Sequence, residues 1–185
     1  KGFEVDLVEK SEIAAGSSYG NAGLIVPSHS VPLAASGVMS KAMKWMFNPE
    51  SPFYIKPRLD PSLISWLLKF SRSCSSGQME RGIGIIRDLS FESLRLFQKL
   101  AALDDLNFGF EHRGLVIGFL TEAGLNAGLE ESHLMAEKGI RTKALDADGV
   151  EAMNPGLRSN MIGGVYYEQD AHLIPSEFVS QMAKR

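Results

Sequence analysis

Phe3-Glu4-Val5-Asp6-Leu7-Val8-Glu9-Lys10, followed by Gly16-Ser17-Ser18-Tyr19-Gly20-Asn21-Ala22-Gly23, is the stretch that decides the fold. In the first run Phe3, Val5, Leu7 and Val8 are apolar and partly alternate, which predicts a short strand in a parallel sheet. Glu9 places a carboxylate at the carboxyl end of that strand. Ligands of open α/β sheets bind at this edge, where a carboxylate can accept hydrogen bonds from both ribose hydroxyls of an adenosine. The second run is a loop of small residues. Its hydroxyls and backbone N–H groups let the chain approach a pyrophosphate or a flat ring closely. Strand, carboxylate and loop make one half of a dinucleotide site. The other half is a Gly-rich turn on an earlier strand, and these 185 residues do not contain it. The chain is therefore expected to begin inside a module, with Gly2 as the stop of a preceding helix.

Working outward, residues 15–37 read as an ordered loop, because Leu24, Ile25, Val26 and Val31 would be wasted in a solvated tether. A helix is predicted over 38–47, with Met39, Met43, Trp45 and Met46 crowding one side and the Asn48-Pro49 and Ser51-Pro52 pairs ending it. A short apolar helix follows over 62–70. The strongest helical periodicity lies over 82–103, where Ile83, Ile86, Leu89, Leu94, Leu96, Phe97 and Leu100 recur at three- and four-residue spacings. Residues 107–111 and 114–121 are two β-rich runs around His112-Arg113, and predict an antiparallel pair. Thr121 is placed to cap a helix ending near Lys138, with Gly139 as its stop. Beyond it a strand is predicted over 141–145, a short helix capped by Asp146, a strand over 161–167, and a last helix opened by Pro175. The order is that of an α/β chain with an α+β part.

Composition excludes several functions. The 19 basic and 22 acidic residues leave a net charge of −3, with no clustered Lys and Arg for nucleic acid. No apolar run reaches the ~20 residues of a membrane span. The single cysteine, Cys74, cannot close an internal disulfide, fits a reducing compartment and reads as a helix residue. His29, His112, His133 and His172 have no metal-like spacing and read as surface or satisfied residues, and no Ser/His/Asp constellation is present. Gly82-Ile83-Gly84-Ile85-Ile86-Arg87 lacks the third glycine of a phosphate-binding turn and falls in a helical pattern, so it is a coincidence. Tyr166 and Tyr167 alternate in a strand, so only one can face a pocket.

Val8-Glu9-Lys10, then Ala15-Gly16-Ser17-Ser18 and Asn21-Ala22-Gly23-Leu24, resemble the FAD-dependent D-amino-acid dehydrogenase and glycine oxidase family. The likeness continues through Leu33-Ala34-Ala35, Lys44-Trp45-Met46 and Pro49-Glu50-Ser51-Pro52. It returns in Gly163-Gly164-Val165-Tyr166-Tyr167 and Asp170-Ala171-His172, and so spans nearly the whole chain. Within the family the small-subunit type of D-amino-acid dehydrogenase is the nearest likeness. The resemblance implies a partial FAD-binding, Rossmann-like domain over 1–105 with a helical insertion. It implies a portion of an antiparallel substrate domain over 106–168 and a return to the FAD domain over 169–185.

For single positions the resemblance implies that Glu9 binds the adenosine ribose and that Lys10 lies beside the adenine. Ser17 and Ser18 would contact the pyrophosphate or ribityl chain, while Asn21, Ala22, Gly23 and Leu24 would run along the isoalloxazine. The implied reaction is hydride transfer from the α-carbon of a (D-)amino acid to FAD, giving an imino acid, with no catalytic side chain assigned in this chain. Quinone or oxygen is the implied electron acceptor. The implied location is cytoplasmic, with peripheral contact at the inner membrane; Met39, Met43, Trp45, Met46 and Phe47 serve either that contact or internal packing. Two alternatives stay open: a secondary-amine (sarcosine- or proline-like) oxidase or dehydrogenase, and a non-catalytic fragment that folds incompletely or serves only as a partner-binding piece.

Overall fold

Three polar residues just ahead of apolar runs start helices as capping chemistry requires. Asp60 accepts a hydrogen bond from the Ser62 amide at 2.8 Å and opens α1 (Pro61–Ser73), with Pro61 in the first turn. After α2 (Ser76–Ala101) and β2 (Leu115–Phe119), Thr121 caps α3 (Glu122–Glu137) through its hydroxyl. The strand β3 (Thr142–Asp146) runs directly into its own cap, since Asp146 accepts from the Gly149 amide at 2.8 Å and opens α4 (Ala147–Met153). The remaining elements are β1 (Leu24–Ile25), β4 (Gly163–Tyr167), β5 (Ala171–His172) and α5 (Pro175–Lys184). This computed structural model describes residues 2–4, 6–32, 50, 54, 58, 60–156 and 160–185. The helix expected over 38–47, with its Met and Trp residues, lies outside them.

The chain divides into two compact units, and the boundary falls within α2. One comprises Lys1–Ser28 and Ser90–Arg185. Its larger sheet has the order β2-β4-β3, with both pairings antiparallel. Leu115 and Thr142 both face Tyr167, and Phe119 and Asp146 both face Gly163. Central β4 is the buried strand. Its Gly163 and Gly164 leave room for Leu125 of α3 and Val150 of α4, whose methyl groups lie 3.2 and 2.7 Å from where a Cβ would stand. Tyr167 is 3% exposed, whereas Tyr166 on the opposite face donates its hydroxyl to the Arg113 carbonyl at 2.8 Å. The alternation expected of these two tyrosines is thus observed.

A second core in the same unit gathers Ile25, Leu94, Leu106, Phe108, Ala171 and Leu173. Phe178 of α5 closes it, with ring centroids 5.1 Å from both Phe97 and Phe108 in edge-to-face geometry. The other unit, His29–Leu89, holds α1 and the start of α2. There Ile83 is fully buried, and Gly82 lies against the Pro32 ring. Cys74 terminates α1, its thiol 3.3 Å from the Phe70 carbonyl.

Two expectations are corrected. Residues 3, 4 and 6–9 form no strand, and Phe3, Leu7 and Val8 are 87%, 67% and 93% exposed. A strand needs a ladder partner, and none of the described residues pairs with this run; every described pairing is antiparallel. The hairpin expected from 107–111 and 114–121 also does not form. β2 pairs with distant β4, while Glu111 exchanges backbone hydrogen bonds of 2.8 and 3.0 Å with His172. Gly109 and Gly114, at φ 63° and 78°, turn the chain at both ends of the segment and prevent a continuous ladder. The antiparallel α+β portion is as expected; the parallel, Rossmann-like portion finds no counterpart among the described pairings.

Candidate functional site

The loop that carries the predicted site leaves residue 9 as a series of tight turns. The Ala15 amide bonds to the Glu12 carbonyl and the Tyr19 amide to that of Gly16, both at 3.1 Å. Ala14 takes φ 67°, the left-handed conformation that a Cβ disfavours. Residues 12–15 and Tyr19 face α5 across an open cleft of about 350 Å³, lined on the helix side by Ser176 and Ser180.

Glu9 is exposed, and its carboxylate accepts from the Lys10 amide at 2.7 Å. Lys10 and Ser17 are exposed and Ser18 is half-buried. Gly16 and Gly20 open onto free space, with nothing within 4 Å of an added Cβ. Asn21 and Ala22 are exposed, and the Asn21 carbonyl oxygen accepts from the Gly23 amide at 2.8 Å, a side-chain-closed turn. Gly23 is buried at φ 67°, and Leu24 is 49% exposed. The donor set suits a nucleotide: a carboxylate for ribose hydroxyls, then hydroxyls and small residues with open faces for an anionic or planar group. The structure brings residues 16–24 together in one loop. It does not bring Glu9 to a strand edge.

The loop is tied down where it becomes β1. Leu24 pairs with His172 and Ile25 with Ala171. The Leu173 amide donates to the Gly23 carbonyl at 3.0 Å, and a Cβ on Gly23 would stand 1.9 Å from the Leu173 oxygen. Four residues beyond Leu24 the Ser28 amide and hydroxyl both donate to the fully buried Asp170 carboxylate, at 3.1 and 2.5 Å. Asp170, just ahead of β5, is also held through its own carbonyl, which accepts from the Gly114 amide at 2.8 Å. Burial, with Glu131 and Asp170 as neighbouring negative groups, pushes the Tyr167 phenol up to about 12. Residue-level reading of the sequence missed the Ser28–Asp170 tie, since 142 positions separate the partners. The only sign of it was a lone Asp next to the apolar start of β5.

The histidines behave as expected of satisfied or surface residues. His112 lies between the Gln98 side chain and the Gln169 carbonyl, at 3.1 and 3.2 Å, and His133 is exposed. Among the described residues no cluster of His, Cys, Asp or Glu could hold a metal ion, and no helix is long and apolar enough to cross a membrane.

Comparison with known proteins finds relatives along most of the chain. D-amino acid dehydrogenase 2 of Ralstonia nicotianae is 33% identical over 171 residues, 90% of this chain and 40% of the relative. D-amino acid dehydrogenase of Cereibacter sphaeroides is 33% identical over 159 residues, 85% of this chain and 36% of the relative. The chain thus spans about 40% of the length of these curated relatives. The crystal structure of glycine oxidase from Bacillus cereus superposes with a TM-score of 0.50 at 27% identity, over 54% of this chain and 28% of that one. The FAD dependent oxidoreductase (DAO) family matches residues 1–185. The chain belongs to that family, whose cofactor is FAD.

Proposed function

We propose that this chain is part of an FAD-dependent dehydrogenase or oxidase that oxidises the Cα–N bond of a D-amino acid. The observation that carries the reading is the family match along all 185 residues, joined to relatives of 33% identity named D-amino acid dehydrogenase. When bound, FAD supplies the chemistry by accepting the hydride that leaves the amino acid Cα, which yields an imino acid. The chain's residues bind and orient. Glu9 accepts the ribose hydroxyls and Lys10 lies along the adenine edge. Ser17 and Ser18 donate to the pyrophosphate or ribityl chain. Asn21, Ala22, Gly23 and Leu24 form the wall along the isoalloxazine. What supports this assignment is the exposure of Glu9, the open faces at Gly16 and Gly20, and the anchored turn at Asn21 and Gly23.

The same proposal assigns 1–105 to a partial Rossmann-like FAD domain with a helical insertion, 106–168 to the substrate domain and 169–185 to the return into the FAD domain. Quinone or oxygen takes the electrons. The full-length protein, purified with its native ends, tests the reading: it is expected to show flavin absorbance and to turn over D-alanine. A full-length protein without flavin overturns it, and turnover of sarcosine or L-proline in place of D-alanine moves the substrate to a secondary amine. The 185-residue chain, lacking a Gly-rich phosphate turn, is expected to retain little FAD.

A further inference from the structure

We infer that Asp170 is a positioning residue for the cofactor-facing loop, acting through Ser28 and β1; the inference rests on the FAD reading above. The loop residues assigned to the isoalloxazine, 21–24, lead directly into a strap that is pinned twice to one short stretch of chain. At its start the Gly23 carbonyl accepts from the Leu173 amide at 3.0 Å, with an approach that leaves no space for a Cβ. At its end Ser28 gives both its amide and its hydroxyl to the Asp170 carboxylate, at 3.1 and 2.5 Å. Between these points β1 pairs with β5 over two residues only, Leu24 with His172 and Ile25 with Ala171. So short a ladder fixes register weakly by itself. A carboxylate taking two donors from one residue sets the strap's position along β5 far more firmly, because charge-assisted hydrogen bonds are short and strong.

Asp170 is fully buried, and the Ser28 amide and hydroxyl are among the groups that satisfy its carboxylate in place of water. It stands three residues after buried Tyr167 at the end of β4, which ties the strap to the central strand of the larger sheet. Slippage of the strap by one residue would turn Leu24 and Ile25 to opposite faces and carry Asn21 and Gly23 with them. Asp170 therefore sets where the loop wall stands, without touching the cofactor.

The test uses the full-length protein and three variants, Asp170→Asn, Ser28→Ala and Leu94→Ala. Leu94→Ala removes a buried side chain from the core that Ile25 of β1 shares, leaves the Ser28 and Asp170 groups intact, and controls for loss of packing and stability. FAD affinity and the position of the visible flavin bands are read for each, with the thermal midpoint beside them. Asp170→Asn and Ser28→Ala are expected to weaken FAD binding about tenfold or more and to shift the flavin bands. Leu94→Ala, at a comparable loss of thermal midpoint, is expected to leave the bands in place. Unshifted bands and unchanged affinity in both strap variants overturn the inference, as does an equal band shift in Leu94→Ala. If the wild-type protein carries no flavin, the FAD reading itself fails, a result distinct from unaltered bands in a flavin-loaded variant.

Discussion

Gly23 and Gly20 show how the same residue type can carry different weight within one loop. Both take positive φ, 67° and 73°, but only Gly23 is pressed against another backbone, 1.9 Å from the Leu173 oxygen if a Cβ were added. Gly20→Ala is expected to cost about 1 kcal/mol, the strain of a left-handed alanine. Gly23→Ala adds the displacement of β5 and loss of the Leu173 hydrogen bond, and is expected to cost about 2–4 kcal/mol. Urea unfolding of the two variants separates them, and equal losses would mean that the close approach at Gly23 is absent. Tyr167 provides a second residue-scale test. Its phenol stands at about 12, above the ordinary 10, with burial as the main cause. The folded state holds the neutral form, so this contribution is full below pH 10 and is lost as the pH rises from 10 to 12. The difference is about 2–3 kcal/mol. Tyr167→Phe has no such group, so its stability should fall less steeply above pH 10 than that of the wild type. Parallel unfolding curves for the two proteins from pH 9 to 11.5 would refute the assignment.

At the scale of elements, local chemistry was legible and long-range pairing was not. Thr121, Asp146 and Pro175 mark helix starts because a cap needs only residues within one turn, and each appears where the sequence predicts it. Thr121→Ala is expected to destabilise by about 1 kcal/mol in chemical denaturation, while Thr121→Ser, which keeps the acceptor oxygen, should stay near wild type. A full loss in the serine variant would show that the methyl group, not the hydroxyl, matters. The partner of β2 could not be found in this way. Residues 107–111 are β-rich and adjacent, but Phe108 and Leu106 are claimed by the core with Leu173, and Glu111 is claimed by His172. Apolar content marks a segment as extended and buried; only the topology decides which strand lies beside it. The site divides along the same line. The loop composition and the Asn21 turn could be read locally, whereas the Asp170 tie joins positions 142 residues apart.

For the molecule as a whole, the decisive segment is the one whose pattern and structure disagree. Residues 3–8 have the apolar spacing of a parallel strand, yet Phe3, Leu7 and Val8 stand exposed. A run with this composition gains little from solvent; about 25 cal/mol is forgone for each Å² of apolar surface left in water. Since the chain spans about 40% of its curated relatives, the proposed Rossmann-like domain would supply the missing ladder partners in the full-length protein. Hydrogen exchange resolves this directly. In the 185-residue chain the amides of residues 3, 4 and 6–8 should exchange at nearly unprotected rates, as expected for backbone with no ladder bonds. In the full-length protein the same amides should be slowed about a hundredfold or more, because a strand buried on both faces opens only with its sheet. Unprotected amides in the full-length protein would remove the parallel strand, and with it the placement of Glu9 at a strand edge. The loop over 16–24 would then have to bind without it. Protection there, together with flavin absorbance, would instead put the Glu9 carboxylate where a ribose can reach it.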